Sequence, residues 1–379
     1  MRLDDDHRAI QDAVRSYVAD HVAPHAAAWA RDATFPRDAL RGLADLGCYG
    51  IAVPTEWGGA GLDWLAVSVI LEEIAAGDGA TSTIVSVNNC PVCSILVAAG
   101  NEAQKERFLK PLARGDMLGA FCLTEPHVGS EAGGLTTTAR LEHGREGDEY
   151  VLDGVKQFIT SGKHADVAIV MAVTDKAAGK KGISAFLMPT ATPGYTVARL
   201  EEKTGQTASD TAQIVFEGCR VPVALRLGEE GQGLRIALSG LEGGRIGIGS
   251  QAIGMARAAF EAALAYAKER VAFGRPIFEH QALQFRLAEM AMQIEAARQL
   301  VHHAASLKDA GEPCLKEAAM GKLFASEMAE RVCSEAMQIH GGYGYVKDFP
   351  VERIWRDVRV CRIYEGTSDV QKMLIARGL

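Results

Sequence analysis

The chain has 379 residues, 48% hydrophobic and 23% charged, the balance of a soluble globular protein long enough for two or three domains. With 40 Lys and Arg against 48 Asp and Glu its net charge is −8 and no basic run occurs, which argues against nucleic acid as the main partner. Any phosphate-bearing ligand must then be met by a few placed arginines and by helix N-termini. No apolar run reads as long enough to span a membrane, and the start, Met1-Arg2-Leu3-Asp4-Asp5-Asp6, is unlike a signal or transit peptide. A cytoplasmic protein without membrane insertion is expected.

Residues 1–117 read as a helical domain whose Ala- and Leu-rich segments break at Pro24, Pro36 and Pro54-Thr55-Glu56-Trp57-Gly58-Gly59-Ala60-Gly61. A buried helix is predicted from Ser82 to about Gly100. Over 118–226 the texture changes to short runs such as Val167-Ala168-Ile169-Val170-Met171 and Gln213-Ile214-Val215-Phe216, separated by polar turns. That pattern predicts an antiparallel β domain, a sandwich or barrel. Over 227–379 the chain is helical again. Leu283, Leu287, Met290, Ile294, Ala297, Val301 and Ala304 recur at steps of four and three, a seam for helix packing. Pro313 is expected to open a further long helix. The predicted class is α+β, mostly α: helices, β domain, C-terminal four-helix bundle. The eight cysteines are scattered, and Cys90-Pro91-Val92-Cys93 lacks a second pair to make a zinc site, so reduced, buried thiols are expected.

Five segments carry candidate chemistry. Phe121-Cys122-Leu123-Thr124-Glu125-Pro126-His127-Val128-Gly129-Ser130 leaves a strand for a loop whose backbone groups can bond a flat polar ring edge. Gln157-Phe158-Ile159-Thr160-Ser161-Gly162 is a second strand end with an aromatic face and a hydroxyl. In Arg270-Val271-Ala272-Phe273-Gly274-Arg275-Pro276-Ile277, followed by His280-Gln281, an arginine could bind phosphate and Gln281 a base edge. Gln338-Ile339-His340-Gly341-Gly342-Tyr343-Gly344 ends a helix in more glycines than a cap needs. Finally Tyr364-Glu365-Gly366-Thr367-Ser368-Asp369 sets a carboxylate on a turn before a capping cluster. A shielded carboxylate there has a raised pKa, suited to proton abstraction. Read alone, each segment has an ordinary alternative: strand-end turn, core Phe, solvated basic turn, plain cap. No Walker A motif or dinucleotide-binding strand–glycine–helix fingerprint occurs.

Together, in this order and spacing, these segments resemble the acyl-CoA dehydrogenase family, from Trp57-Gly58-Gly59-Ala60-Gly61-Leu62-Asp63 through the Glu365 segment. The resemblance implies a helix–sheet–helix fold, an FAD cofactor, and oxidation of an acyl-CoA to the trans-2-enoyl-CoA. It places Phe121, Leu123, Thr124 and Ser130 on the flavin ring, with Ser130 also near the thioester. Phe158, Ile159 and Thr160 match the facing strand end, where many relatives carry Trp at the Phe158 position. Arg270, Phe273, Ile277, Gln281, Gln338, Gly341 and Gly342 match the FAD pyrophosphate and adenine site, completed across subunits. Thr367 and Asp369 match FAD contacts; Glu242 and Arg245 match the CoA-contacting segment; Tyr364 and Gly366 flank the reacting carbons. Glu365 matches the base, and Gly244 removes the alternative position that some relatives use. The Glu365 main-chain N–H and a flavin hydroxyl would polarise the thioester carbonyl.

The resemblance further implies electron-transfer flavoprotein as the electron acceptor and a homotetramer, a dimer of dimers. Ser86-Val87-Asn88-Asn89 and Leu241 through Ile248 resemble the short-chain, butyryl-CoA branch. Ser82 stands where glutaryl-CoA relatives carry an arginine, which argues against a dicarboxylyl substrate. Pro91, Val92 and Cys93 depart from that branch and leave chain length and branching open. Two alternatives are carried: a dehydrogenase of short branched acyl-CoAs such as isobutyryl- or 2-methylbutyryl-CoA, and a flavin- or CoA-binding scaffold without turnover.

Overall fold

The computed structural model describes residues 3–145 and 147–379; Met1 and Arg2, part of the acidic start, lie outside the described residues. Helix α1 (Asp5–His21) begins where the Asp4 carboxylate accepts the His7 N–H, and α2 (Ala26–Asp32) and α3 (Arg37–Asp45) follow. Helix α4 (Trp64–Gly77) is capped by Asp63, which accepts the Ala66 N–H at 2.7 Å, and is buried almost all round. Next come α5 (Gly79–Val87), a wider turn over Asn88–Cys93 and α6 (Ser94–Ala99), the buried stretch expected there. The short helices α7 (Glu102–Gln104) and α8 (Lys110–Arg114) lead to the sheet. One expectation needs correcting. The run Gly79–Ala99 is, by length and composition, apolar enough to cross a membrane. It is 72% buried inside the molecule, so its apolarity is used by the core.

The strands of the middle region are β1 (Gly119–Cys122), β2 (Thr138–Glu142), β3 (Glu149–Thr160), β4 (Val167–Val173), β5 (Ile183–Pro189), β6 (Tyr195–Leu200), β7 (Thr211–Pro222) and β8 (Arg226–Leu227). They form one sheet in the order β6-β7-β3-β2-β4-β5-β8, with β1 also against β4. The sheet is mixed, not purely antiparallel. β1 runs parallel to β4, Gly119 opposite Val167 through Cys122 opposite Val170, and β2 touches β4 in parallel at Thr138 and Val173. The cause is the long loop 123–137, which carries the chain away from β1 where a tight turn would have folded it back.

The C-terminal region packs α9 (Gly233–Glu269), α10 (Gln281–Asp309) and α11 (Leu315–His340), with a small hairpin of β9 (Val271–Ala272) and β10 (Arg275–Pro276) between the first two. Helices α12 (Val351–Val358) and α13 (Ser368–Arg377) close it. The seam of α10 is buried from Leu287 to Ala304, with Leu283 half-buried. Pro313 lies just ahead of α11, whose cap residue is Cys314. Two carboxylates on α4 join these helices. Glu72 meets Arg298 at 2.9 Å and Arg257 at 3.2 Å; Glu73 meets Arg257 at 2.6 Å and Arg15 at 2.8 Å. Burial pushes the Glu73 carboxyl up, but Arg15 and Arg257 outweigh it and hold it below the usual range. All eight cysteines are free and buried, as expected.

Candidate active site

Glu365 follows a short helical turn and precedes α13, whose cap is Thr367 accepting the Val370 N–H. Its φ is +54° and that of Gly366 is +90°. A non-glycine residue there is uncommon and strained by about 1–3 kcal/mol, so surrounding contacts must hold it. They are specific: Lys322 Nζ donates to the Gly366 carbonyl at 2.7 Å, and Gln371 Nε2 donates to the Glu365 and Gly366 carbonyls at 3.0 and 2.8 Å. The strain aims the carboxylate at α9. A methyl built on Gly244 would stand 2.6 Å from Glu365 Oε2, so the glycine makes room for the acid. Oε2 is shut off from solvent without a hydrogen-bond partner. Burial raises the Glu365 pKa to about 7, with Arg245 and Lys322 pulling it back.

Beside Gly244 opens a cavity of about 330 Å³, lined by Trp64, Val67, Asn89, Cys90, Ser94, Val97, Gly240 and Gly243, with Glu242 and Lys308 also on its wall. Lys308 Nζ lies 3.1 Å from Glu242 and 4.8 Å over the Trp64 ring. Its walls are mainly apolar, suited to an acyl chain. Tyr364 backs the turn: its hydroxyl donates to Gln251 Oε1 at 2.5 Å and accepts from Gln206 at 3.3 Å. Arg245, expected against CoA, is 5% exposed, and its Nε and one terminal nitrogen have no hydrogen-bond partner among the described residues.

The two strand ends meet, because Gln157 N donates to the Thr124 carbonyl at 2.8 Å. Phe158 has φ +59° and is 62% exposed, its ring presented outward, while Ile159 beneath is buried. Leu123 is buried, Phe121, Thr124 and Thr160 are half-buried, and Ser130 is exposed. Lys156 and Glu125, which the sequence reading passed over, stand behind this surface as an ion pair of 2.9 Å. Lys156 also donates to the Leu123 carbonyl, and Glu125 accepts the Thr136 and Thr137 N–H groups, so the pair pins the loop at both ends. Burial pushes the Glu125 carboxyl up, but Lys156 and the Thr136 and Thr137 donors outweigh it and hold it well below the usual carboxylate range.

A second cavity, of about 530 Å³, is lined by Arg270, Ile277, Gly341, Gly342, Tyr343 and neighbours. It shares no lining residue with the first. Above Gly341 and Gly342 the space is open to 4 Å. Phe273 stands 96% exposed on the hairpin, and Gln281, Gln338 and Asp369 are exposed. Of the predicted residues Arg270, Ile277, Gly341 and Gly342 line this second cavity, whereas Phe273, Gln281, Gln338 and Asp369 do not; the others gather at the catalytic turn, on α9 and at the strand ends.

Models of the acyl-CoA dehydrogenase N-terminal, middle and C-terminal domains match residues 4–116, 120–219 and 231–379. This chain belongs to the acyl-CoA dehydrogenase family. It is 44% identical over 379 residues to the short-chain specific acyl-CoA dehydrogenase of Rattus norvegicus, covering 100% of this chain and 91% of the relative. The butyryl-CoA dehydrogenase structure from Megasphaera elsdenii matches with a TM-score of 0.97 at 40% identity, covering 100% and 99% of the two chains. A chain from work on the electron transferring flavoprotein of Acidaminococcus fermentans matches with a TM-score of 0.97 at 43% identity, covering 100% and 98%. The protein is therefore an oxidoreductase acting on acyl-CoA, and acyl-CoA dehydrogenases are FAD-dependent flavoproteins. The residues present fit that cofactor. An exposed aromatic at a strand end suits a flat ring; the open glycines and exposed Arg270 suit a close-approaching anion.

Lys322 was also missed by the sequence reading. Its signal was a lysine amid Ala318, Ala319, Ala325 and Ser326, the buried small-residue face of α11.

Proposed function

We propose that this acyl-CoA dehydrogenase oxidises short-chain acyl-CoAs to trans-2-enoyl-CoAs, with Glu365 as the base that takes the α-proton. The observation that carries this reading is the Glu365 carboxylate, buried and unpartnered on a strained turn and packed against Gly244, the neighbour of Gly243 on the wall of the apolar chamber. With a pKa of about 7 the acid is largely ionised just above neutrality and still basic enough to accept a proton. Among the described residues no acceptor takes the Glu365 main-chain N–H, which leaves it free to polarise the thioester carbonyl. Bound FAD supplies the acceptor for the β-hydride. Phe121, Leu123, Thr124, Ser130, Phe158, Ile159 and Thr160 would hold its ring, and the Arg270–Gly342 group its anionic and adenine portion.

The short-chain preference rests on the likeness to short-chain and butyryl-CoA enzymes and on a chamber closed by the Trp64 ring against Gly243. Chain selection in such a pocket is graded, at about 1–3 kcal/mol per methylene. A homotetramer with FAD sites completed between subunits belongs to this proposal, supported by Arg270 and Phe273 standing exposed at the hairpin, and the Acidaminococcus likeness supports electron-transfer flavoprotein as acceptor. Anaerobic addition of straight and branched acyl-CoAs tests the reading. Butyryl-CoA should bleach the flavin fastest, whereas bleaching by no acyl-CoA would leave a non-catalytic binding protein, and a faster isobutyryl-CoA a branched-chain enzyme.

A further inference from the structure

We infer that Lys322, with Gln371, is a positioning residue that clamps the catalytic turn, and that its charge sets the pH at which Glu365 works; this rests on Glu365 being the base. Lys322 is fully buried in α11. A buried lysine without a salt bridge is costly to place, so its position calls for a use. Its Nζ donates to the Gly366 carbonyl at 2.7 Å, and Gln371, also fully buried, donates to that carbonyl and to Glu365's. Two donors from two helices therefore converge on two consecutive carbonyls of a turn whose residues both have positive φ. A methyl on Gly366 would meet Gln371 Nε2 at 2.7 Å, so turn and clamp fit closely. Without the clamp Glu365 would relax toward ordinary φ and its carboxylate would leave Gly244.

The charges around the carboxylate are few. Arg245 of α9 and Lys322 of α11 act on it, and the Cys90 thiol, kept neutral by burial, feels its charge. Burial pushes the Lys322 ammonium down to about 8, with Cys361 and Glu365 drawing it back up and Arg245 and Arg362 pushing it further down, so it carries its charge through neutral pH. Arg245 and Lys322 thus oppose the burial that would otherwise keep Glu365 protonated through neutral pH. Gln371 fixes the same turn without charge, which separates the two parts of the inference.

The test measures butyryl-CoA turnover and, on reduced holoenzyme in D2O, exchange of the α-hydrogen by NMR, each across pH. Lys322→Gln and Gln371→Leu should both lower kcat by about 10²-fold, since a base displaced by about 1 Å loses that much. KM should stay within about threefold, because neither residue touches substrate. Only Lys322→Gln should move the exchange midpoint, upward, because only it removes a positive charge. Unchanged kcat in both variants, or an unmoved midpoint in Lys322→Gln, overturns the inference. If Lys322→Gln cannot be recovered folded, Gln371→Leu decides the clamp alone by the same kcat and KM criteria. Glu365→Gln serves as the parallel control: it should abolish exchange, and if exchange persists the base lies elsewhere and the underlying reading fails first.

Discussion

Glu365 has opposite effects on function and on stability. Its folded-state pKa is about 7 against an ordinary 4.5, because burial disfavours the charge. Below 4.5 the acid is protonated whether the chain is folded or not, and it costs nothing. Between 4.5 and 7 only the unfolded chain ionises it, so the fold loses stability as pH rises, to a total of about 3 kcal/mol. Glu365→Gln should therefore denature later than the wild type at pH 8 and at the same point near pH 4.5. A denaturant titration at both pH values checks this. Catalysis runs the other way: only the ionised form accepts a proton, so kcat/KM for acyl-CoA oxidation should rise through pH 7 with the loss of one proton. Gly244 belongs to the same calculation. Alanine is the better helix former by about 1 kcal/mol, yet its methyl would displace the carboxylate. Gly244→Ala should leave melting unchanged or slightly raised while lowering kcat by about 10²-fold.

At the level of elements, what could be read from sequence was what depends on neighbours in the chain. The Leu287–Ala304 seam of α10, the Thr367 cap and the strand ends at Phe121 and Phe158 are all local patterns, and the structure has them. The parallel pairing of β1 with β4 was not legible, because its partners lie 48 residues apart and nothing in either strand names the other. The surroundings of Arg245 were hidden for a related reason. Its segment reads as a CoA contact, but only the packing of α9 against α4 and α11 buries it beside Glu365. Lys156 and Glu125 likewise become a pair through register between strand and loop. Removing one partner of so buried a pair costs about 3–5 kcal/mol. Lys156→Met should thus lower the denaturation midpoint and free the 123–136 loop to proteases; an unchanged cleavage pattern would deny it the pinning role.

Across the whole molecule, Glu72 and Glu73 on the central helix α4 gather arginines from α1, α9 and α10, tying the N-terminal helices to the C-terminal ones. The Tyr364 hydroxyl extends a second link through Gln206, on the sheet side, and Gln251 of α9. Both glutamines also bond Thr83 of α5, so the catalytic turn is fixed against all three regions. Glu73→Ala would leave Arg15 and Arg257 without their buried partner and should cost about 3–5 kcal/mol in denaturant unfolding, without moving the pH midpoint of turnover. The fold order was legible because each region has its own residue texture; these ties were not, since a Glu-Glu pair in an apolar helix looks the same whether or not it is partnered. The central claim is that this buried carboxylate removes the substrate's α-proton. Anaerobic mixing of butyryl-CoA with the FAD-loaded enzyme tests it most directly, wild type beside Glu365→Gln. The wild type should lose its oxidised-flavin absorbance, and Glu365→Gln should keep it with the flavin still bound. Equal bleaching of both would contradict the account.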